Sequence, residues 1–211
     1  LFPGTKVLRM DADTVAAARG HEALLKQFTE QNIPILLGTQ MVAKGLDFEN
    51  VTLVGVLDAD LSLYVQNYHA AERTYSLLAQ VVGRAGRGER VGRAVIQTYH
   101  AENEVIQAAA KQDYEAFYQS ELRLRRLRRY PPFADLFTLT VSGSEELRVI
   151  AAARTLCDAL RCESEREPLR ALETEVLGPA GAPVVKVNDR YRYCVYLCGR
   201  SDSALRRTVS E

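Results

Sequence analysis

"AERTYSLLAQVVGRAGRGERVGRAVIQT", residues 71–98, passes from a helical pattern, through a glycine–arginine stretch, to a strand pattern. The apolar spacing predicts a helix over 70–82, and "GRAVIQT" (92–98) is a short apolar run of strand type. Between them lie Arg84 and Arg87, three positions apart, each preceded by a glycine. A dinucleotide-binding loop needs a strand, then glycines, then a helix whose first N–H groups face the pyrophosphate. Here the order is reversed. The glycines follow a helix C-terminus, where the helix dipole repels anions. Phosphate held at this place must be held by the arginine side chains, with Gly83 and Gly86 giving room and unusual backbone angles.

Working outward, the first hundred residues alternate between the two patterns. "KVLRM" (6–10) predicts a strand, 13–31 a helix, "IPILLGT" (33–39) a buried strand, and "VTLVGVLDAD" (51–60) another. Such alternation argues for an α/β fold, a parallel sheet with helices on both faces. Residues 101–130 form one long polar helix or two shorter ones, which must end at "YPPF", because Pro131 and Pro132 cannot continue a helix. Beyond lie a strand ("LFTLTV"), a helix ("EELRVIAAARTLCDALRCE"), "EVLGPA", a strand ("RYRYCVYLC"), and a last helix capped by Ser201 or Asp202. The predicted organisation is therefore an α/β unit (1–100), a helical connector (101–133) and a small α+β domain (134–211).

A chain of 211 residues, 47% of them hydrophobic, can bury one or two ordinary cores. It opens without methionine, as expected of a piece of a longer protein. No run of 18 apolar residues and no signal-peptide pattern suggest a membrane span or secretion. Basic and acidic residues balance at 27 each, so bulk charge announces no nucleic-acid partner. Locally the balance fails: residues 119–133 hold five arginines against one glutamate, whereas 101–118 hold four acids and one lysine. A basic stripe can bind phosphate without making the whole chain basic.

Four cysteines raise the question of zinc. Cys194 and Cys198 would share a strand face about 13 Å apart, at ~3.3 Å per residue. That is too far for one tetrahedral ion with metal–sulfur bonds of about 2.3 Å. Cys157 and Cys162 splay around a helix. Buried, reduced thiols in a reducing cytoplasm are the expectation, with no metal site.

"VTLVGVLDAD" resembles the magnesium-holding strand of P-loop enzymes, but the required G-x-x-x-x-G-K-[ST] is absent, and Lys44 precedes Gly45 in the wrong order. Asp58 and Asp60 are therefore read as capping the strand end or orienting neighbours. Half of a phosphoryl-transfer site is present, without the half that holds the nucleotide.

That combination has a known counterpart. "ILLGTQMVAKGLDFENVTLV" resembles motif V of superfamily 2 helicases, and "QVVGRAGR" resembles their motif VI. The longer series, continued through "VTLVGVLDAD", "AERTYSLLAQVVGRAGRGERVGRAVIQT" and "LRRYPPFADL", resembles the PriA family of bacterial replication-restart helicases (primosomal protein N′) over nearly the whole chain. The resemblance implies most of a second RecA-like motor lobe followed by the family's small α+β C-terminal domain. It implies an ATP-dependent DNA helicase of 3′–5′ polarity, at work in the cytoplasm on the nucleoid.

Site roles follow from the same resemblance. ATP and Mg2+ lie between two lobes and are held mainly by the first, which this chain lacks. Arg87 would reach the γ-phosphate as an arginine finger, Arg84 would hold the phosphates beside it, and Gln80 would position water or link to the nucleotide. Gly45 and Asp47 would line the ribose side, with Gly83 leaving room at the cleft. Thr39, Gln40 and Lys44 would face the DNA backbone, so that one loop couples nucleotide state to grip. An arginine delivered across a closing cleft stabilises charge on the transferring phosphoryl group and is worth about 10³–10⁵ in rate, roughly 4–7 kcal/mol. Hydrolysis would then report lobe closure.

Other features carry less. Tyr64, Tyr68 or Tyr75 could stack on bases, though core packing is the more ordinary role. His21, His69 and His100 read as surface or capping residues, and Arg73 as a family position or a salt-bridge partner. The leucines and arginines of 122–129 read either as a solvated helix between domains or as a basic rim for DNA. Lys186, Arg190 and Arg192 lie beside aromatics, in a domain that in the family helps bind branched DNA and the acidic tail of single-stranded-DNA-binding protein. Partners implied are thus forked and single-stranded DNA, that protein and other primosome proteins, with no membrane.

The family's cysteine-rich Zn2+ module belongs to the full-length protein and has no C-x₂-C pair here. Its N-terminal DNA-binding domain and first lobe are also absent from this sequence, so the chain alone is expected to be inactive. Two alternatives stand beside this reading. One is a lobe of another superfamily 2 motor, such as the excision-repair helicase-like protein; the other is a non-catalytic DNA- or protein-binding adaptor.

Overall fold

A computed structural model describes residues 3–11, 14, 20–39, 51–65, 67–83, 92–200 and 202–210. Contacts divide the chain into two compact units, Leu1–Phe117 and Tyr118–Glu211. The division falls inside the segment read from the sequence as a helical connector.

The first unit is α/β with parallel strand pairs. β1 (Val7–Met10) pairs in parallel with β2 (Ile35–Gly38), from Val7 opposite Ile35 to Met10 opposite Gly38. β3 (Leu53–Val56) pairs in parallel with β4 (Arg93–Ile96), from Leu53 opposite Arg93 to Val56 opposite Ile96. Parallel pairing requires a crossover, and helices supply it. α1 (His21–Glu30) lies between β1 and β2; α2 (Asp60–Leu63) and α3 (Ala70–Val82) lie between β3 and β4.

The single helix predicted over 13–31 is corrected. Gly20 stands at φ 135° before α1, a backbone setting that ends any helix reaching it, so the described helix begins at His21. Residues 12–13 and 15–19 lie outside the described residues.

α3 matches the predicted 70–82. Its buried face is Ala70, Thr74, Tyr75 and Leu78, the i, i+4, i+5, i+8 stripe of an amphipathic helix. Thr74 is buried without an unmet polar group, because its hydroxyl lies 2.9 Å from both the Ala70 carbonyl and Ser62 Oγ. Tyr75 and Leu78 join Ala59, Ile106, Ala108, Ala109 and Phe117 in this unit's core.

Residues 101–130 resolve into two helices, α4 (Glu104–Lys111) and α5 (Tyr114–Leu127). Two capping side chains and one left-handed backbone turn set the ends of these helices. Asn103 caps α4 by accepting the Val105 N–H at 2.9 Å; Gln112 turns left-handed at φ 55°; Asp113 accepts the Ala116 N–H at 3.0 Å. α5 stops ahead of Pro131, as the sequence requires.

The second unit is a three-stranded antiparallel sheet, ordered β5 (Asp135–Gly143), β7 (Arg190–Gly199), β6 (Glu175–Val187). α6 (Glu146–Ser164) packs Val149, Ala153, Cys157 and Leu160 toward it at helical spacing. Cys157 and Leu160 meet Val176, Val195, Leu197 and, from α7 (Ser203–Ser210), Leu205 in a second core. The β6–β7 hairpin turns through Asn188 and Asp189 at φ 49° and 57°, the left-handed pair that a tight hairpin demands. Cys157, Cys194 and Cys198 are buried, but Cys162 is exposed on α6, a correction to the expectation that all four are buried. Among the described residues, no group of three potential ligands could hold a metal ion, and no helix is long and apolar enough to cross a membrane.

Candidate functional site

The candidate site is distributed along the first unit, and the described residues contain three of its nine members. Thr39 follows the C-terminal end of β2 and is exposed. Gln80 lies on the exposed side of α3, two residues from its end, with its amide nitrogen donating to Ser76 Oγ at 3.1 Å. Gly83 is the C-cap of α3, and its N–H donates to the Ala79 carbonyl at 2.9 Å. Gln40, Lys44, Gly45, Asp47, Arg84 and Arg87 lie outside the described residues.

At Gly83 the backbone angle is ordinary and the space is tight. Its φ of −69° is ordinary helical backbone, which corrects the expectation of an unusual conformation there. A Cβ at this position would stand 3.0 Å from Gln112 Nε2 and 3.2 Å from the Ala79 carbonyl. The helix end that carries the glycine–arginine stretch is thus packed closely against the left-handed turn after α4.

Asp58 and Asp60 follow the C-terminal end of β3, the edge at which open parallel sheets bind ligands. Asp58 is exposed and left-handed at φ 54°. Asp60 is only 5% exposed and acts as a brace: it accepts the Thr98 hydroxyl at 2.9 Å and the Tyr99 N–H at 2.8 Å. The Tyr99 N–H, with the Thr98 hydroxyl and the nearby His100 assisting against burial, holds the Asp60 carboxyl below its ordinary range. This is the orienting role expected from the sequence. Its partners, 38 and 39 residues away, carry no local signal that could have named them.

The tyrosines separate. Tyr75 is core, stacked on Phe117 with ring centroids 4.3 Å apart, whereas Tyr64 is exposed and meets the His100 ring edge-on at 5.9 Å. Burial, reinforced by Asp113, raises the Tyr75 hydroxyl above its ordinary pKa, so it stays neutral. His69 stands at the N-cap position of α3, with Nδ1 2.7 Å from Glu72. Arg73 is exposed.

In the second unit the arginine-rich end of α5 is partly structural. Arg125 is buried, held by Glu121 at 2.7 Å and by the Pro131 carbonyl at 3.1 Å. Arg126 lies 4.9 Å over the Phe133 ring, and Arg129 donates to the Glu173 carbonyl at 2.7 Å. Arg123 and Arg128 are exposed. On the hairpin, Lys186 lies over Tyr191 and 3.1 Å from Asp189, and Arg190 reaches the Ser142 carbonyl at 3.0 Å.

Comparison with known proteins agrees with this two-part organisation. Residues 2–89 match the helicase conserved C-terminal domain, and residues 126–211 match the primosomal protein N C-terminal domain. The chain is 45% identical over 196 residues to the replication restart protein PriA of Bacillus subtilis, covering 92% of this chain and 24% of that protein. It is 40% identical over 195 residues to PriA of Synechocystis, covering 91% and 22%, and 35% identical over 197 residues to PriA of Rickettsia conorii, covering 93% and 29%. It therefore spans about a quarter of the length of these relatives. With its helicase C-terminal region followed in order by the primosomal protein N C-terminal region, this chain belongs to the PriA family of replication restart proteins.

Proposed function

We propose that this chain forms most of the second, RecA-like motor lobe and the C-terminal domain of an ATP-dependent, 3′–5′ DNA helicase that restarts replication at stalled or branched forks. The observation that carries the reading is the continuous likeness to PriA proteins over more than nine-tenths of the chain, motifs V and VI included. α3 supports it by ending at Gly83, so that Arg84 and Arg87 follow directly from a helix anchored in the core by Tyr75 and Leu78.

In this reading Arg87 acts as the arginine finger, Arg84 holds the phosphates and Gln80 serves the attacking water or the nucleotide. Gly45, Asp47 and Gly83 border the nucleotide; Thr39, Gln40 and Lys44 meet the DNA backbone. ATP and Mg2+ are held mainly by a first lobe outside this sequence, and the Zn2+ of the full-length protein by a cysteine-rich module of the second lobe that also lies outside it. The second unit would contact fork DNA, single-stranded-DNA-binding protein or other primosome proteins in the bacterial cytoplasm, with Lys186, Arg190 and Arg192 as candidate contacts.

The test at the level of the chain is ATP hydrolysis by the purified 211-residue polypeptide with single-stranded DNA present. A finger without a phosphate-holding loop catalyses nothing, so no turnover above background is expected. DNA-stimulated hydrolysis by the chain alone would overturn the assignment.

A further inference from the structure

The end of α3 meets a residue outside the helicase-like motifs. Gly83, from which the arginine stretch departs, is the C-cap of α3, and a Cβ built there would stand 3.0 Å from Gln112 Nε2. The amide of Gln112 thus fills the space beside the Gly83 backbone, and both residues belong to the first compact unit.

Gln112 is itself the C-cap of α4, set in a left-handed turn at φ 55°. Its N–H donates to the Ala109 carbonyl at 3.1 Å, and the Asp113 N–H donates to the Ala108 carbonyl at 2.9 Å, which closes the helix end. Ala108 and Ala109 are buried in the core that also holds Tyr75 and Leu78 of α3. One core therefore carries both helix ends, and the Gln112 side chain projects from an anchored backbone. The residue type at this turn is informative. A left-handed cap favours glycine, because the Cβ of an L residue there crowds the following carbonyl oxygen. Gln112 keeps a side chain at a backbone cost, and the end of that side chain lies against Gly83. A residue held in an unfavourable backbone region beside a functional segment points to a role for what it carries.

We propose that Gln112 is a positioning residue for the glycine–arginine stretch. Its amide end, packed beside Gly83, sets the direction in which the chain leaves α3, and so where Arg84 and Arg87 are delivered. This rests on the finger role given to Arg87 above, and Gln112 acts through Gly83 rather than on the nucleotide. A displacement of about 1 Å at the root of such a group can cost up to about 10²-fold in rate. The loss falls on the transition state more than on bound substrate, because the charge that the finger stabilises develops during transfer.

The test compares variants of the full-length protein by DNA-stimulated ATP hydrolysis. Gln112→Gly removes the side chain and leaves the residue type that the left-handed turn prefers. It should lower kcat by about ten- to a hundredfold, with the KM for ATP within about twofold of wild type. Its thermal midpoint should equal or exceed that of wild type, because the backbone strain is relieved. Gln112→Met, an unbranched side chain of similar length, should restore most of kcat, since packing carries the role. Arg87→Ala is the reference. Should it abolish hydrolysis while Gln112→Gly turns over as wild type, Gln112 positions nothing and the finger reading stands. Should Arg87→Ala keep hydrolysis, the finger reading fails and the positioning role with it. A lowered midpoint in Gln112→Gly would reduce the effect to lost folding, and Gln112→Met as slow as Gln112→Gly would leave packing no part; either overturns the proposal.

Discussion

Asp60 joins the loop after β3 to the end of β4 by accepting from Thr98 and Tyr99, and both bonds favour the ionised carboxylate. Its pKa in the folded chain is lowered, so the stabilisation it provides is present above the unfolded value of about 3.9 and is lost as pH falls through the lower folded value. Asp60→Asn should lower the thermal midpoint at neutral pH, because the Asn amide can serve only one of the two donors. The gap between wild type and variant should narrow below about pH 4; midpoints measured across that range check the sign, and a gap that widens on acidification would refute it. The sequence shows that an aspartate follows the strand, but the donors that make it a brace come from the segment after β4. Gln80, Gly83 and Thr39 are candidates through the likeness of their stretches to helicase motifs V and VI. The close approach at Gly83 carried no local signal, since the atom nearest an added Cβ is Gln112 Nε2.

At the scale of elements, α5 shows how one charged residue ends a helix cleanly. Arg125, 9% exposed, is paired with Glu121, 12% exposed, one turn earlier, and also donates to the Pro131 carbonyl that begins the turn. Arg125→Met leaves Glu121 half-buried without its partner and should cost on the order of 3 kcal/mol of unfolding free energy. The double variant with Glu121→Leu should recover most of that loss, because replacing such a pair by apolar side chains is often close to neutral. Urea unfolding of the two variants measures both; an unchanged stability in Arg125→Met would show the pair to be incidental. From sequence the run of arginines is uniform, whereas folding divides it into a buried clamp, a ring contact and exposed charges. Helix α3 was legible to the residue because its apolar stripe stops at a glycine. The 13–31 pattern was not, because periodicity carries no mark of the backbone angle that Gly20 adopts. The sequence left one long helix or two shorter ones open over 101–130; the break lies at Gln112 and Asp113, where Asp113 accepts the Ala116 N–H.

For the whole molecule, the two family matches and the two compact units follow the same order along the chain, a helicase C-terminal segment and then a small α+β segment. The α/β class of the first unit was legible because strand and helix patterns alternate there, whereas in the second unit the sequence left "EVLGPA" without a type and the structure supplies the long strand β6 and its antiparallel pairing. This chain covers about a quarter of its relatives' length, so the proposed finger role is tested in the full-length protein. The most direct measurement is DNA-stimulated ATP hydrolysis by the full-length protein carrying Arg87→Ala, paired with its affinity for forked DNA. A finger role predicts a fall in turnover of about 10³-fold or more, with DNA affinity within about twofold of wild type, a change of under 0.5 kcal/mol. Retained hydrolysis, or an equal loss of hydrolysis and DNA binding, would contradict it.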